Sequence, residues 1–416
     1  MERNLRVLTL GAATRTFGAA LYTPFLALFL QNVLHVSYVE IGIIFVGVGV
    51  VQLPFNFVGG LMTDRVGRRQ LILVGLAAEA IATAFLGYAF SVESLAEAIL
   101  AATLGGIVTT LAGPAVSAYI ADFAEGPERT RGYTWMRVGF NAGYSAGVTL
   151  GGILAASIGF AGSVGIAAAV IAVATAVVFV ALRPSPFDLA LAHRGPADRV
   201  ATLPGPGTPA RSVRESLSIL ARDRPALEVL LAVTFALVVV GQWAVTFPLF
   251  VHNDLGVSYS LLGVGLALNG LVVVFGQNLT TERVLGMRHT TIAILGLVLY
   301  VVAFVGLGLS GYLGLYPLAV FFVAVVVLTF GENLITIPQA TLPSNLAPPE
   351  EVGAYNGAFG FVASAGGLAA IFLGGLVLQA IPDPLLIWLL LSAPALASVV
   401  LFRDAARRIP RSKDTA

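Results

Sequence analysis

Four charged side chains lie inside long apolar stretches of this sequence. Glu332 is near the middle of FFVAVVVLTFGENLITIPQA, and Glu79, Arg15 and Arg137 lie in three other apolar stretches. A charge at the centre of a bilayer costs about 2.5–3.5 kcal/mol on insertion scales, so such side chains are expected to face a protein interior or a wet cavity. A carboxylate can take up and release a proton, whereas a guanidinium keeps its charge. The residue types therefore suit proton transfer and ion pairing.

Glu332 shares one face of a helix with Thr329, Thr336 and Gln339. This polar stripe predicts that Glu332 and Thr336 face a cavity and that Glu332 couples to protons. The alternative is a structural hydrogen bond to a neighbouring helix. Glu79 is a second proton-coupling candidate, and a structural role is the alternative for it.

The two cations are predicted to line the same cavity. Arg15 shares a helical face with Tyr22, and Arg137 shares one with Asn141. Arg15 and Glu332 are expected at similar depth, so an ion pair between them is one hypothesis, and structural counterions are the other. The remaining predicted lining residues are Phe25, Gln242, Trp243 and Asn269, for which packing is the alternative.

The elements that must position these residues are membrane-spanning helices. The chain has 416 residues, 57% of them hydrophobic and only 11% charged, with a mean hydropathy of +0.91. A soluble protein needs more charge on its surface, and apolar stretches of about 20 residues, enough to cross a bilayer, recur along the chain. The sequence therefore predicts an all-α polytopic membrane protein.

Hydropathy predicts twelve spans in two groups of six. They lie near 5–33, 38–62, 70–90, 95–121, 132–157, 160–182, 226–251, 258–280, 290–310, 314–341, 353–380 and 385–403. The predicted domains are a six-helix bundle over 1–182, a proline-rich linker over 183–224, a second bundle over 225–404 and a tail over 405–416. The linker's end, RSVRESLSILARDRP, predicts a short amphipathic helix at the membrane surface.

Basic residues predict the orientation. Every Lys and Arg except Arg15 and Arg137 falls on the side that holds both termini and the linker. Because loops on the cytoplasmic side carry the excess of Lys and Arg, both termini and the linker are expected in the cytoplasm, with the chain in the cell (cytoplasmic or inner) membrane.

The two halves of the chain resemble each other. TDRV-GRRQ at 63–70 corresponds to TERVLGMRH at 281–289, PERTRGY at 127–133 to PEEVGAY at 349–355, and Pro114 to Pro338. A same-direction repeat of six spans predicts two bundles related by an axis along the membrane normal, with a site near the midplane.

Several motifs resemble one known family. GLMTDRVGRR at 60–69 resembles the signature loop of the major facilitator superfamily, and the matching residues are Gly60, Asp64, Arg65, Gly67, Arg68 and Arg69. GYSAGVTLGG at 143–152 is similar to the helix-5 glycine motif of drug/proton antiporters, with Val148 where that motif usually has proline. The segment 331–357 resembles multidrug exporters of the LmrP and MdtH type, in which the acid at the position of Glu332 is functional.

The resemblance implies a major facilitator fold and a secondary active transporter that exports hydrophobic or amphiphilic compounds in exchange for protons. It also implies that the six signature residues form a gate. The alternatives are a proton symporter or facilitator for a small nutrient, and a non-transport sensor or enzyme. The chain has no cysteine and no nucleophile or metal-binding motif, so no enzyme activity, cofactor or metal is expected. The expected partners are a lipophilic or cationic small molecule, protons and the lipid bilayer, but no nucleic acid, and the chain is expected to act as a monomer.

Overall fold

In this computed structural model, the residues described are 3–123, 126–193, 218, 220, 222–348 and 351–415. Within these ranges the chain is helical and contains no strand. The helices of the first half are α1 (Arg3–Ala20), α2 (Leu26–Asn32), α3 (Tyr38–Val66), α4 (Arg68–Ser91), α5 (Leu95–Phe123), α6 (Gly126–Ala181) and α7 (Pro186–Ala192). Those of the second half are α8 (Arg224–Val240), α9 (Thr246–Asn253), α10 (Tyr259–Val284), α11 (His289–Leu309), α12 (Pro317–Leu346), α13 (Val352–Ala380) and α14 (Pro384–Arg408). The surface helix expected near the end of the linker falls largely outside the described residues.

Ten apolar helical stretches among the described residues are long enough to cross a membrane. One of them, Gly132–Ala181, has 50 residues and holds two of the predicted spans. The backbone turns between these two spans at Gly159, whose φ of +74° is non-helical. The first predicted span is divided between α1 and α2, so neither piece qualifies alone. These two features account for the difference between ten stretches and twelve predicted spans.

The first helix of each half is interrupted in the same way. The 3₁₀ turn Thr23–Phe25 separates α1 from α2, and the 3₁₀ turn Gly241–Trp243 lies between α8 and α9. In the second turn, Gln242 is fully buried, and its amide donates to the carbonyl oxygens of Val238 and Ala370 at 2.9 and 3.0 Å. Broken helices leave backbone groups without helical partners, and side chains such as this amide compensate for them.

The chain folds into two compact units. One comprises Met1–Val36, Gly47–Thr208 and Ser258–Gly270, and the other comprises Ser37–Val46, Pro209–Val257 and Leu271–Ala416.

Within the first unit, α1 packs closely on α6 along a ladder of glycines. A Cβ atom at Gly143, Gly147 or Gly151 would overlap the backbone of Ala13, Phe17 or Leu21 in turn. The spacing of four residues keeps these glycines on one face of α6, and small residues let membrane helices approach to backbone contact. The ladder fixes the position of α1, which carries Arg15.

The first turn of α4 receives its cap from a distant segment. Gly67 precedes α4 with a φ of +98°, a conformation that favours glycine, and it has no side chain to cap the helix. The carboxylate of Asp188 accepts from the backbone nitrogens of Arg68 at 2.6 Å and Arg69 at 3.2 Å. Asp188 also forms a capping box with Ser185 at the start of α7. We call Pro184–Asp188 the linker hook.

The second half repeats this arrangement at α11. Asp414 is fully buried, and its carboxylate accepts from the backbone nitrogen of Thr290 at 2.9 Å and from Nε of Arg288 at 2.6 Å. Its carbonyl oxygen accepts from the backbone nitrogen of His289 at 2.6 Å. We call Pro410–Asp414 the tail hook. Each hook places an aspartate where the N-terminus of a helix presents free N–H groups.

Candidate functional site

A buried ion pair joins α1 to α4 inside the first unit. The guanidinium of Arg15 donates from Nε to Oε2 of Glu79 at 2.8 Å and from Nη2 to Oε1 at 2.7 Å. This is the bidentate geometry of the strongest charge-assisted hydrogen bonds. Nη2 also lies 3.4 Å from the hydroxyl oxygen of Thr109 on α5. The partner of Arg15 is therefore Glu79, and the hypothesis of an Arg15–Glu332 pair is corrected.

The pair lies close to the middle of the helices. Glu79 is near the midpoint of the 24-residue helix α4, and its phenolic neighbour Tyr22 interacts electrostatically with both Glu79 and Arg15. Each charge alone would be costly at this depth, and pairing with good geometry offsets that cost. Removing one partner would leave the other charge without compensation.

A cavity of about 240 Å³ opens beside this pair. Helices α1, α4, α5 and α6 supply its walls, and the lining is mainly aliphatic, with Met136 and Phe140 from α6. Arg15, Glu79 and Thr109 are among its few polar groups. A mainly apolar pocket with a few convergent polar groups is the usual form of a small-molecule site.

Glu332 lies in the second unit, close to the middle of α12. Its side chain is half-buried and interacts electrostatically with the buried phenol of Tyr300 on α11. In the predicted stripe, Thr336 and Gln339 are also half-buried. Thr329 is fully buried and donates to the carbonyl oxygen of Val325 at 2.6 Å.

Arg137 is exposed in the structure, and its place in a cavity wall stays a prediction. It lies two residues before Gly139, which packs on α1 at Thr9, so Arg137 points away from that contact. Asn141 is half-buried, and its amide donates to the carbonyl oxygen of Arg137 at 3.0 Å.

The other residues expected to line a cavity have mixed positions. Phe25 is fully buried and stacks on Phe29, and Gln242 is fully buried at the helix break. Both side chains are buried by packing, and their place in a cavity wall stays a prediction. Trp243 is half-buried and stacks on Phe247, with 4.6 Å between ring centroids, and Asn269 is buried.

The signature loop is held by charges of its own unit. Arg68 pairs with Asp122 at 3.2 Å and approaches Asp64 to 3.9 Å, and its guanidinium lies over the ring of Phe187 at 3.7 Å. Arg69 donates to the carbonyl oxygen of Leu182 at 2.7 Å.

The other signature positions make fewer contacts. Arg65 is exposed. A Cβ at Gly60 would meet nothing, whereas one at Gly59 would overlap the backbone of Leu111. The close contact between α3 and α5 therefore depends on Gly59.

Three site residues were missed by the sequence reasoning: Thr109, Tyr300 and Asn333. Asn333 follows Glu332 and is fully buried, and its Nδ2 has no hydrogen-bond partner among the described residues. Asn333 could be assigned to a helix from the sequence. It was not chosen as a candidate because an uncharged side chain costs much less free energy to place in a membrane than a charged one.

Ten apolar helical stretches long enough to cross a membrane, with carboxylates near the middle of two of these helices, are features of a polytopic membrane transporter. The chain belongs to the Major Facilitator Superfamily, whose family model matches residues 8–371. Family and relatives are transporters, not enzymes.

Curated relatives fit this assignment. The uncharacterized MFS-type transporter YttB of Bacillus subtilis is 25% identical over 100% of this chain and 98% of its own length. Multidrug resistance protein 1 of Bacillus subtilis is 29% identical over 30% of this chain and 32% of its own length. The quinolone resistance protein NorA of Staphylococcus aureus is 24% identical over 42% of this chain and 45% of its own length.

Solved structures share the fold. The POT family transporter PepTSo has a TM-score of 0.73 at 17% identity, with 98% of each chain covered. The nucleoside transporter NupG has a TM-score of 0.72 at 11% identity, covering 96% of this chain and 99% of its own.

Proposed function

We propose that this transporter exports hydrophobic or amphiphilic compounds in exchange for protons, by alternating access. The observation that carries the proposal is Glu332, a half-buried carboxylate at mid-helix beside the buried phenol of Tyr300. An ionisable residue at this depth is a functional candidate by default, because it costs free energy to insert. Two partial relatives carry multidrug and quinolone resistance in their names, which supports export of such compounds.

The proposed coupling is a competition at Glu332. When the acid is protonated it is neutral, and burial costs little. A cationic or amphiphilic compound that enters favours the ionised form, so the proton leaves. By thermodynamic reciprocity, proton and substrate then lower each other's affinity by the same factor.

The roles proposed for the other residues are those that the family resemblance implies. The signature residues Gly60, Asp64, Arg65, Gly67, Arg68 and Arg69 would stabilise one state of the cycle. The protein would work as a monomer in the inner membrane with both termini in the cytoplasm, and Glu79 is the second candidate for proton coupling.

The test uses the purified chain in proteoliposomes. A fluorescent amphiphilic cation should accumulate when only a pH gradient is imposed, and Glu332→Gln should abolish this accumulation because the amide cannot titrate. Exchange of dye without a gradient should survive in that variant. Glu282→Gln is the matched control, since Glu282 is an exposed acid near the end of α10. If Glu332→Gln still concentrates the dye on the pH gradient alone, Glu332 is structural.

A further inference from the structure

The cavity beside Arg15 and Glu79 has two properties that together limit what can bind there. Its walls are apolar, and its charges are a single ion pair inside one unit. The two partners are unequally accessible, because the side chain of Arg15 is 25% exposed and that of Glu79 only 8%. A ligand in the cavity therefore meets the guanidinium first.

The two partners also differ in how they can lose their charge. Arginine stays protonated in proteins, whereas a carboxylate becomes neutral by binding a proton. The pair can therefore open without leaving an unpaired carboxylate only if Glu79 is protonated. Among the described residues, the titratable groups that interact with Glu79 include Arg15 and Tyr22, both from the first predicted span. The residues that α6 contributes to the cavity are apolar.

After protonation of Glu79, the apolar cavity faces an unpaired cation. A guanidinium matches a carboxylate or sulfonate through two parallel hydrogen bonds. The hydroxyl of Thr109, already 3.4 Å from Nη2 of Arg15, is placed to donate a further hydrogen bond to the same anion. A bound amine would instead compete with Arg15 and leave the guanidinium unpaired.

We propose that this cavity is a binding site for a small organic anion with an apolar body, and that Glu79 takes up one proton as the anion binds. The anion takes the place of the Glu79 carboxylate on Arg15, and the solvent proton neutralises that carboxylate, so the net charge of the site is conserved. The volume of about 240 Å³ exceeds the roughly 150 Å³ that hold one benzene. The site therefore suits a ligand of one or two rings, or a short alkyl chain, with one acidic head group.

This site goes beyond the proposed exchange at Glu332, because proton and ligand favour each other here. If each bound anion brings one proton into the site, linkage requires that the anion bind about tenfold more tightly for each unit by which the pH falls. The proton should be taken up from solution, at about one for each bound anion.

The probe is 2-naphthoate, measured by equilibrium dialysis against the full chain in lipid nanodiscs, with empty nanodiscs subtracted. Between about pH 6 and pH 8 the probe stays ionised, since carboxyl groups ordinarily titrate near pH 4. Wild-type protein should bind it more tightly at the lower pH. 2-Naphthylmethanol should bind without pH dependence, and 2-naphthylmethylammonium should bind at least tenfold more weakly than the naphthoate.

Variants distinguish the roles of Arg15 and Glu79 in binding the anion and in taking up the proton. Glu79→Gln should bind naphthoate with an affinity that no longer varies with pH, and it should take up no proton. The double variant Arg15→Gln with Glu79→Gln removes both charges of the pair, so neither is left buried without its partner. It should no longer bind naphthoate but should still bind naphthylmethanol. Glu282→Gln should behave as the wild type.

Three results would overturn the proposal: pH-independent binding by the wild type, naphthoate binding by the double variant, or stronger binding of the ammonium probe. Proton uptake, followed with an indicator dye in weak buffer, tests the wild type and Glu79→Gln even where the double variant does not fold. Because these are equilibrium measurements without a gradient, their failure is separate from failure of proton-driven export.

Discussion

At the scale of single residues, the Arg15–Glu79 pair shows how a membrane protein tolerates charge. Both charges lie near mid-span, and each is acceptable because the other supplies two short hydrogen bonds. The pair therefore ties α1 to α4 as well as lining the cavity.

The prediction at this scale concerns the stability that the ion pair gives to the contact between α1 and α4. Arg15→Gln should lower the free energy of unfolding by about 3–5 kcal/mol, because it leaves the Glu79 carboxylate buried without a cation. Adding Glu79→Gln should recover most of the loss. The measurement is unfolding in detergent for both single variants and the double variant. Additive losses would show that the two residues do not stabilise each other.

Sequence reasoning identified both charges but not their partnership. Arg15 and Glu79 were found because each is a charge in an apolar stretch, which is visible in any hydropathy profile. Their contact joins residues 64 positions apart in the sequence, and hydropathy does not say which faces of two helices meet. Because Arg15 and Glu332 were expected at similar depth in the membrane, Glu332 was as good a candidate as Glu79 for the partner of Arg15. Arg137 is exposed in the structure, and hydropathy likewise does not reveal which side of its helix faces protein.

At the scale of elements, helix identity was largely predictable and helix breaks were not. The length of the apolar stretches predicted the spanning helices. The glycines of the motif at 143–152 lie in α6, where three of them pack against the backbone of the first span. The 3₁₀ turns in the first helix of each half remained hidden, because each is only three residues long and lies inside a stretch that is apolar enough to be read as one span. The hooks also remained hidden, since an aspartate in a polar segment is indistinguishable from a solvated one.

The element-scale prediction concerns the tail hook. Asp414→Ala should destabilise the protein by about 2 kcal/mol or more, because it removes the cap of α11 and leaves Arg288 without its carboxylate. Asp404→Ala is the control, as Asp404 is a partly exposed acid one turn from Arg408 and such pairs contribute about 0.5 kcal/mol. Thermal unfolding of both variants in detergent measures the difference. Equal losses would mean that the hook adds no stability.

At the scale of the whole molecule, the distribution of arginine predicts a sidedness that labelling can check. All loops rich in arginine fall on one predicted side, and loops that remain in the cytoplasm carry such an excess. A single cysteine at Ser258 should therefore react with an impermeant maleimide added outside intact cells. One at Ser212 should react only after the cells are opened. The chain has no native cysteine, so each label reports one site.

Reaction of both positions from the same side would contradict the predicted orientation. The depths of Arg15, Glu79 and Glu332 would be unaffected by that result, since each of these residues lies close to the middle of its predicted span.

The two hooks bear on the ancestry of the chain. Pro184 and Asp188 recur as Pro410 and Asp414, each pair four residues apart and each capping the third spanning helix of its half. An internal duplication whose repeated unit extended past the sixth helix and carried its own cap would produce this correspondence. On that account the linker hook belongs to the repeated unit, and only the residues after it connect the two halves.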